Sequence, residues 1–172
     1  MTCVDLFGSV IAHSTANIPQ GKKGLQILYD DMLRLFRIVS QKQVKNKLND
    51  FEQALTSLPS LNFKTEDLKS LELSSTLAQL SSGLASFKFH LDWIQQKQDE
   101  IGDDYSETKK INRLIQGMLA QFGTPPELVY PSLPPLNTAW SLHQANVEIY
   151  QKLYFFCNWY IRALRVLKHK QH

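Results

Sequence analysis

Cysteine is nearly missing from this chain. Cys3 and Cys157 are the two present, and neither has a neighbour at metal-ligand spacing. Their number fixes no redox compartment, and a bridge between them is not expected. No Asn-x-Ser/Thr sequon occurs. No run of 18 apolar residues occurs either, which argues against a membrane span. The net charge of +3 is too small to argue for nucleic acid, and no basic block is interleaved with aromatics as a single-strand binder requires. Catalytic signatures are missing too. The five histidines are scattered, with no HExxH and no paired Glu-x-x-His of a di-iron bundle. Neither a Gly-x-Ser-x-Gly elbow nor a phosphate loop occurs. His90 and Asp92 are two apart and face away from each other on a helix, so His90 is read as a surface or boundary residue. The expectation is a protein that is not an enzyme and carries no cofactor and no metal.

Helical periodicity is abundant. Over 24–45, Leu25, Leu28, Met32, Leu35 and Val39 recur at steps of three and four, and Lys42, Lys45 and Lys47 gather at the end, where the helix dipole favours cations. Over 70–99, Leu73, Leu77, Leu80, Leu84, Phe87, Leu91 and Ile94 form one apolar seam. Over 104–122 the seam is Ile111, Leu114, Ile115, Met118 and Phe122, with Asp103 or Asp104 as the expected N-cap. Over 138–169 it is Val147, Tyr150, Tyr154, Cys157, Ile161 and Leu164, with Asn137 as the expected N-cap. Cys157 reads as a small buried hydrophobe, not a nucleophile. No stretch alternates long enough for a strand, so the chain is read as all-α.

The connections set the topology. The link at 100–104 is short and forces an antiparallel turn. The links at 46–69 and 123–137 are long, and the second holds Pro125, Pro126, Pro131, Pro134 and Pro135. A helix of about 22 residues is about 33 Å long, and roughly fifteen extended residues reach about 45 Å. Each long link can therefore return the chain to the other end. Long, short, long predicts an up-up-down-down four-helix bundle with two crossover loops. The apolar run "LFGSVIA" (6–12) has no basic residues before it and follows Asp5. Residues 1–20 are accordingly expected to be a leader or a disordered N-terminus, and 21–172 the bundle domain.

Without a pocket signature, function would lie on exposed faces and at the tips. Asn158, Arg162, Arg165 and His169 fall on one stripe of the last helix. Spacing alone makes that stripe a solvated face. The same holds for Arg34, Arg37 and Gln41 on the first helix and for Lys109, Arg113 and Gln116 on the third. Trp140 follows the seam of Val147 and Tyr150 in phase, yet it lies in the first turn beside the proline loop, where little is left to cover it.

Two segments carry a resemblance. "SLPSLNFKTEDLKSLELSSTLAQLSSGLASFKFHLDWIQQ" (57–96) is similar to the first crossover and second helix of the interleukin-11 cytokines. "LPPLNTAWSLHQANVEIYQKLYFFCNWYIRALRVLKHK" (133–170) is similar to their second crossover and last helix. "TAW" and "NWYIRALRVLK" resemble the family's Ala-Trp and Asp-Trp-x-x-Arg-x-Leu-x-x-Leu-Lys segments, with Asn158 in place of the aspartate. The resemblance runs from about Leu25 to Lys170 and is weakest over 104–122. It implies a secreted cytokine of the interleukin-6 class, monomeric when free, with three receptor-binding surfaces. Arg162, with Arg165 beside it, would meet a ligand-specific α-receptor, together with the first crossover. Arg37, and on the third helix Arg113, nominated by helical phase alone, would meet the shared signal-transducing receptor glycoprotein. Trp140 would meet a second copy of that glycoprotein, and intracellular kinases would be activated. The competing expectations are a ciliary neurotrophic factor-like cytokine and, from another class, a lipid-binding helical bundle opening its amphipathic helices onto a membrane. Neither nucleic-acid binding nor membrane insertion is expected.

Overall fold

The computed structural model describes residues 21–45, 48, 51, 54–60, 62–102, 104–123, 129–130 and 132–170. The N-terminal segment 1–20, Lys47, Asp103, Pro125, Pro126 and Pro131 lie outside the described residues. Four long helices form: α1 (Lys22–Lys45), α2 (Leu73–Ile101), α3 (Ser106–Ala120) and α4 (Ala139–Lys170). A 3-10 turn, Thr65–Ser70, precedes α2. Among the described residues there is no strand.

The seams face one another as their spacing requires. Leu28, Met32, Leu35, Leu84, Phe87, Leu91, Ile111, Ile115, Leu153 and Leu164 share one buried core. Leu73, Leu114 and Tyr154 are only partly covered, although their phase places them on the seams.

Side-chain contacts fix the helix directions. Arg165 of α4 donates from Nη2 to Tyr29 Oη of α1 at 2.9 Å. Toward the other end of the pair, Lys42 Nζ lies 5.6 Å from the Tyr150 ring centroid. Early α1 thus meets late α4. Gln121 donates to Asp31 at 3.0 Å, and Lys42 pairs with Glu107 at 2.9 Å, so α1 and α3 are also antiparallel. Lys170 donates to the Leu71 carbonyl at 3.1 Å, just before α2 begins. Phe87 meets Phe156 edge-on at 5.1 Å in mid-bundle. Helices α1 and α2 therefore run one way and α3 and α4 the other, which is the up-up-down-down order.

Helix α2 packs closely on α4 because position 83 is glycine. A Cβ there would overlap the Phe156 ring. At its C-terminus α2 stops on Gly102, whose φ of 70° is the left-handed conformation a glycine adopts without steric cost.

The helix starts differ from the sequence expectation in three places. The cap of α4 is Thr138, not Asn137: Ser141 N–H donates to Thr138 Oγ1 at 3.0 Å and Thr138 N–H to Ser141 Oγ at 3.1 Å. This reciprocal pair satisfies two backbone donors, as a capping box does. At α3 the assigned cap is Tyr105. Asp104, one residue earlier, accepts Ser106 N–H at 3.1 Å, and this bond holds its carboxyl below the usual range. Helix α2 begins at Leu73 rather than at 70, because Leu71 and Glu72 are extended and break it from the 3-10 turn.

Candidate functional site

The exposed face of α4 has a basic end and an aromatic neighbour. Arg162 and Arg165 are both exposed. Arg165 is tied to α1 by its bond to Tyr29, whose ring also lies 4.3 Å from Lys168 Nζ. Phe155 is 53% exposed. Seven residues are close to two helical turns, so Phe155 and Arg162 point within about 20° of each other. Sequence reasoning missed Phe155 because the run "YFFC" reads as seam. The available signal was its step of seven from Arg162. Beside this face the first crossover lays Phe63 flat on Trp159, centroids 4.7 Å apart and planes 2° apart. A cleft of about 830 Å³ opens between that crossover, α2 and α4, with Phe63, Ser75, Gln79, Gly83, Phe156 and Trp159 in its lining.

A second set of residues meets between α1 and α3. Arg37 and Arg113 line one groove of about 580 Å³. Ile38 and Leu114 supply its apolar part, and Arg34, Lys110, Asp31 and Gly117 complete it. The partial exposure of Leu114 is thereby explained. Asp31 is already occupied by Arg34 at 3.5 Å and Gln121 at 3.0 Å. The groove therefore presents an excess of cation over an apolar floor.

The third position is the tip. Trp140 is 51% exposed, with its ring 5.6 Å from the His143 ring. Close by, a pocket of about 340 Å³ is lined by Leu55 of the first crossover, Trp93 of α2, the Pro134–Leu136 run and Gln144. The structure thus brings Arg37 together with Arg113, and Arg162 near Arg165. It keeps Trp140 apart from both.

Cys157 is a buried free thiol, and burial pushes its pKa up, so it is not poised as a nucleophile. His90 is not a surface or boundary residue: its exposure is 0%. The reason is tertiary. The first crossover folds over α2 and places Ser57 Oγ 2.6 Å from His90 Nε2, while Nδ1 lies 2.7 Å from the Ser86 carbonyl. Among the described residues, no three His, Cys, Asp or Glu side chains cluster to hold a metal ion, and no helix is long and apolar enough to cross a membrane.

A family model described as Interleukin 11 matches residues 22–171, from the first residue of α1 to one past the end of α4. No curated protein matches the chain.

Proposed function

The chain belongs to the interleukin 11 family of helical-bundle cytokines, and from that premise we propose that it is a secreted ligand that assembles a receptor complex through three surfaces. The first, Arg162 with Arg165 and the neighbouring crossover, binds an α-receptor of the interleukin-11 type. The second, Arg37 with Arg113, binds the shared signal-transducing receptor glycoprotein. The third, Trp140, engages a second copy of that glycoprotein. The protein performs no reaction; it juxtaposes receptors.

The observation that carries the reading is the groove between α1 and α3. Two arginines nominated from different helices line one recess with an apolar floor. A guanidinium offers a fixed fork of donors to carboxylates and stacks on aromatic rings, and a recess able to desolvate such contacts is what an interface hot spot needs. On α4, Arg162 makes no hydrogen bond or ion pair among the described residues, so its donors are open to a partner.

The test is affinity capture on the interleukin-11 α-receptor ectodomain, repeated with the ciliary neurotrophic factor receptor. The protein is expected to bind the first and not the second. Arg162→Ala should weaken that binding at least tenfold with an unchanged melting temperature. Retained binding together with a fall of several degrees would make Arg162 structural and displace the first surface. In the same assay with the shared glycoprotein present, Arg37→Ala and Arg113→Ala should leave α-receptor binding intact and prevent ternary assembly.

A further inference from the structure

The first crossover is held on the bundle by bonds at Leu48, Leu55 and Ser57. Glu148 of α4 is 2% exposed. Both its oxygens accept the Leu55 N–H, at 2.9 and 3.0 Å. Lys152 pairs with Glu148 at 3.0 Å and donates to the Leu55 carbonyl at 3.3 Å. Gln151 donates to the Leu48 carbonyl at 2.9 Å. On the α2 side Ser57 and His90 are 2.6 Å apart. We infer that half-buried Ser57 and the buried His90 and Glu148 form an acid-sensitive latch, which loosens the first crossover when His90 takes up a proton.

The tautomer follows from the partners. The Ser86 carbonyl can only accept, so Nδ1 carries the hydrogen. Nε2 is then bare and accepts from the Ser57 hydroxyl. A proton arriving on Nε2 sets a donor against a donor, and the hydroxyl must turn away. It also creates a cation at a position with no exposure to water. The charged groups facing the imidazole are Glu148 and Lys152, both from α4. They oppose each other, and the Glu148 oxygens are already committed. The crossover contributes the neutral Ser57, and α2 contributes the Ser86 carbonyl and the edge of Phe89. Lifting residues 54–58 would hydrate the imidazole, so the open form is the better base.

Burial holds the closed-state pKa below the ordinary 6.5, with the Ser86 bond and Glu148 pulling it partly back and Lys152 lowering it further. The sign follows: the latch is at full strength above pH 6.5 and weakens as pH falls from there toward the closed-state pKa. One proton changes the closed-to-open ratio by at most tenfold per pH unit.

Hydrogen exchange on the free, full-length protein tests this apart from any receptor. After correction for intrinsic rates, protection of 54–58 relative to 84–91 should fall several-fold between pH 7.0 and pH 5.0. His90→Gln should abolish that dependence, and Ser57→Ala, which removes the bond and with it the donor–donor clash, should lower protection at pH 7.0 and make the dependence shallower. Equal wild-type protection at both pH values overturns the latch, as does an unchanged slope in His90→Gln. Should His90→Gln fail to fold, wild-type NMR decides. The His90 imidazole and the Leu55 amide must titrate with one midpoint, and two separate midpoints refute the coupling.

Discussion

Gly83→Ala is the sharpest probe of how the bundle is packed. Two effects of opposite sign meet at this position. In a helix interior, alanine is favoured over glycine by about 1 kcal/mol. Against that, the new Cβ would overlap the ring of Phe156. The ring cannot step aside freely: Phe87 lies edge-on at 5.1 Å and Tyr160 at 4.6 Å, and all three are buried. Extra carbon forced into a packed core costs about 1–3 kcal/mol. With the ring held on two sides, the upper part of that range applies, leaving a net loss of about 1–2 kcal/mol. For a chain of this size that is a fall of about 2–8 °C in melting temperature. Thermal unfolding followed by circular dichroism measures it. Gly117→Ala is the control. It lies inside α3 with nothing within 4 Å of its would-be Cβ, so it should gain about 0.5–1 kcal/mol. Adding Phe156→Leu to Gly83→Ala should recover part of the loss relative to the sum of the single changes. If Gly83→Ala raised the melting temperature as Gly117→Ala does, the close approach of α2 to α4 would be refuted.

Other outcomes follow from the buried polar groups. Glu148→Gln keeps one acceptor for Leu55 N–H but loses its charge opposite Lys152; a loss of about 1–3 kcal/mol is expected in urea unfolding, and a change under 0.5 kcal/mol would mean the carboxylate is solvated. Cys157 should resist iodoacetamide at pH 8 in the native protein and react at once in guanidinium, as mass spectrometry would read; native labelling would contradict its burial. Burial pushes the phenols of Tyr150 and Tyr160 up to about 12 from 10.0. Their contribution to stability is complete below pH 10 and falls as pH rises toward 12, by about 1.4 kcal/mol per phenol per pH unit. Absorbance at alkaline pH should show both ionising only with unfolding.

The helices were legible because each carries a seam of one period, and the topology followed from link lengths alone. What stayed hidden depends on partners distant in sequence. His90 stands three residues from Phe87 and four from Ile94, both on the seam, yet by itself it reads as a surface or boundary residue. Its burial comes from Ser57, brought over it by a crossover with no periodicity of its own. The role of Glu148 as acceptor for Leu55 N–H needs a contact 93 positions away in sequence, which no local pattern signals. Asn137 and Thr138 are both good caps by type. The choice fell to Thr138 because Ser141 stands three residues on and can reciprocate. Arg37 and Arg113 were nominated separately, and only antiparallel packing of α1 on α3 puts them in one groove.

Trp140 shows most plainly what a seam leaves out. Its phase matches Val147 and Tyr150, both buried, yet half its surface is open. The cause is length. Lys42 lies over the Tyr150 ring, and α1 ends at Lys45, about 4.5 Å further along its axis. Thr108 Oγ1 is 3.0 Å from Tyr150 Oη, and α3 begins at Ser106, about 3 Å beyond. From Tyr150, α4 continues in the same direction to Ala139, about 16 Å. Its first turns therefore overhang both helices that the face of Trp140 would have packed against, by about 12 Å. A tryptophan deep in a core loses about 3–5 kcal/mol on truncation to alanine. At 51% exposure, Trp140→Ala should lose about 1–2 kcal/mol, roughly 2–8 °C. In the receptor assay the same variant should bind the α-receptor normally and fail to recruit the second copy of the shared glycoprotein. A stability loss in the full core range would return Trp140 to a packing role, and intact assembly would remove it from the third surface.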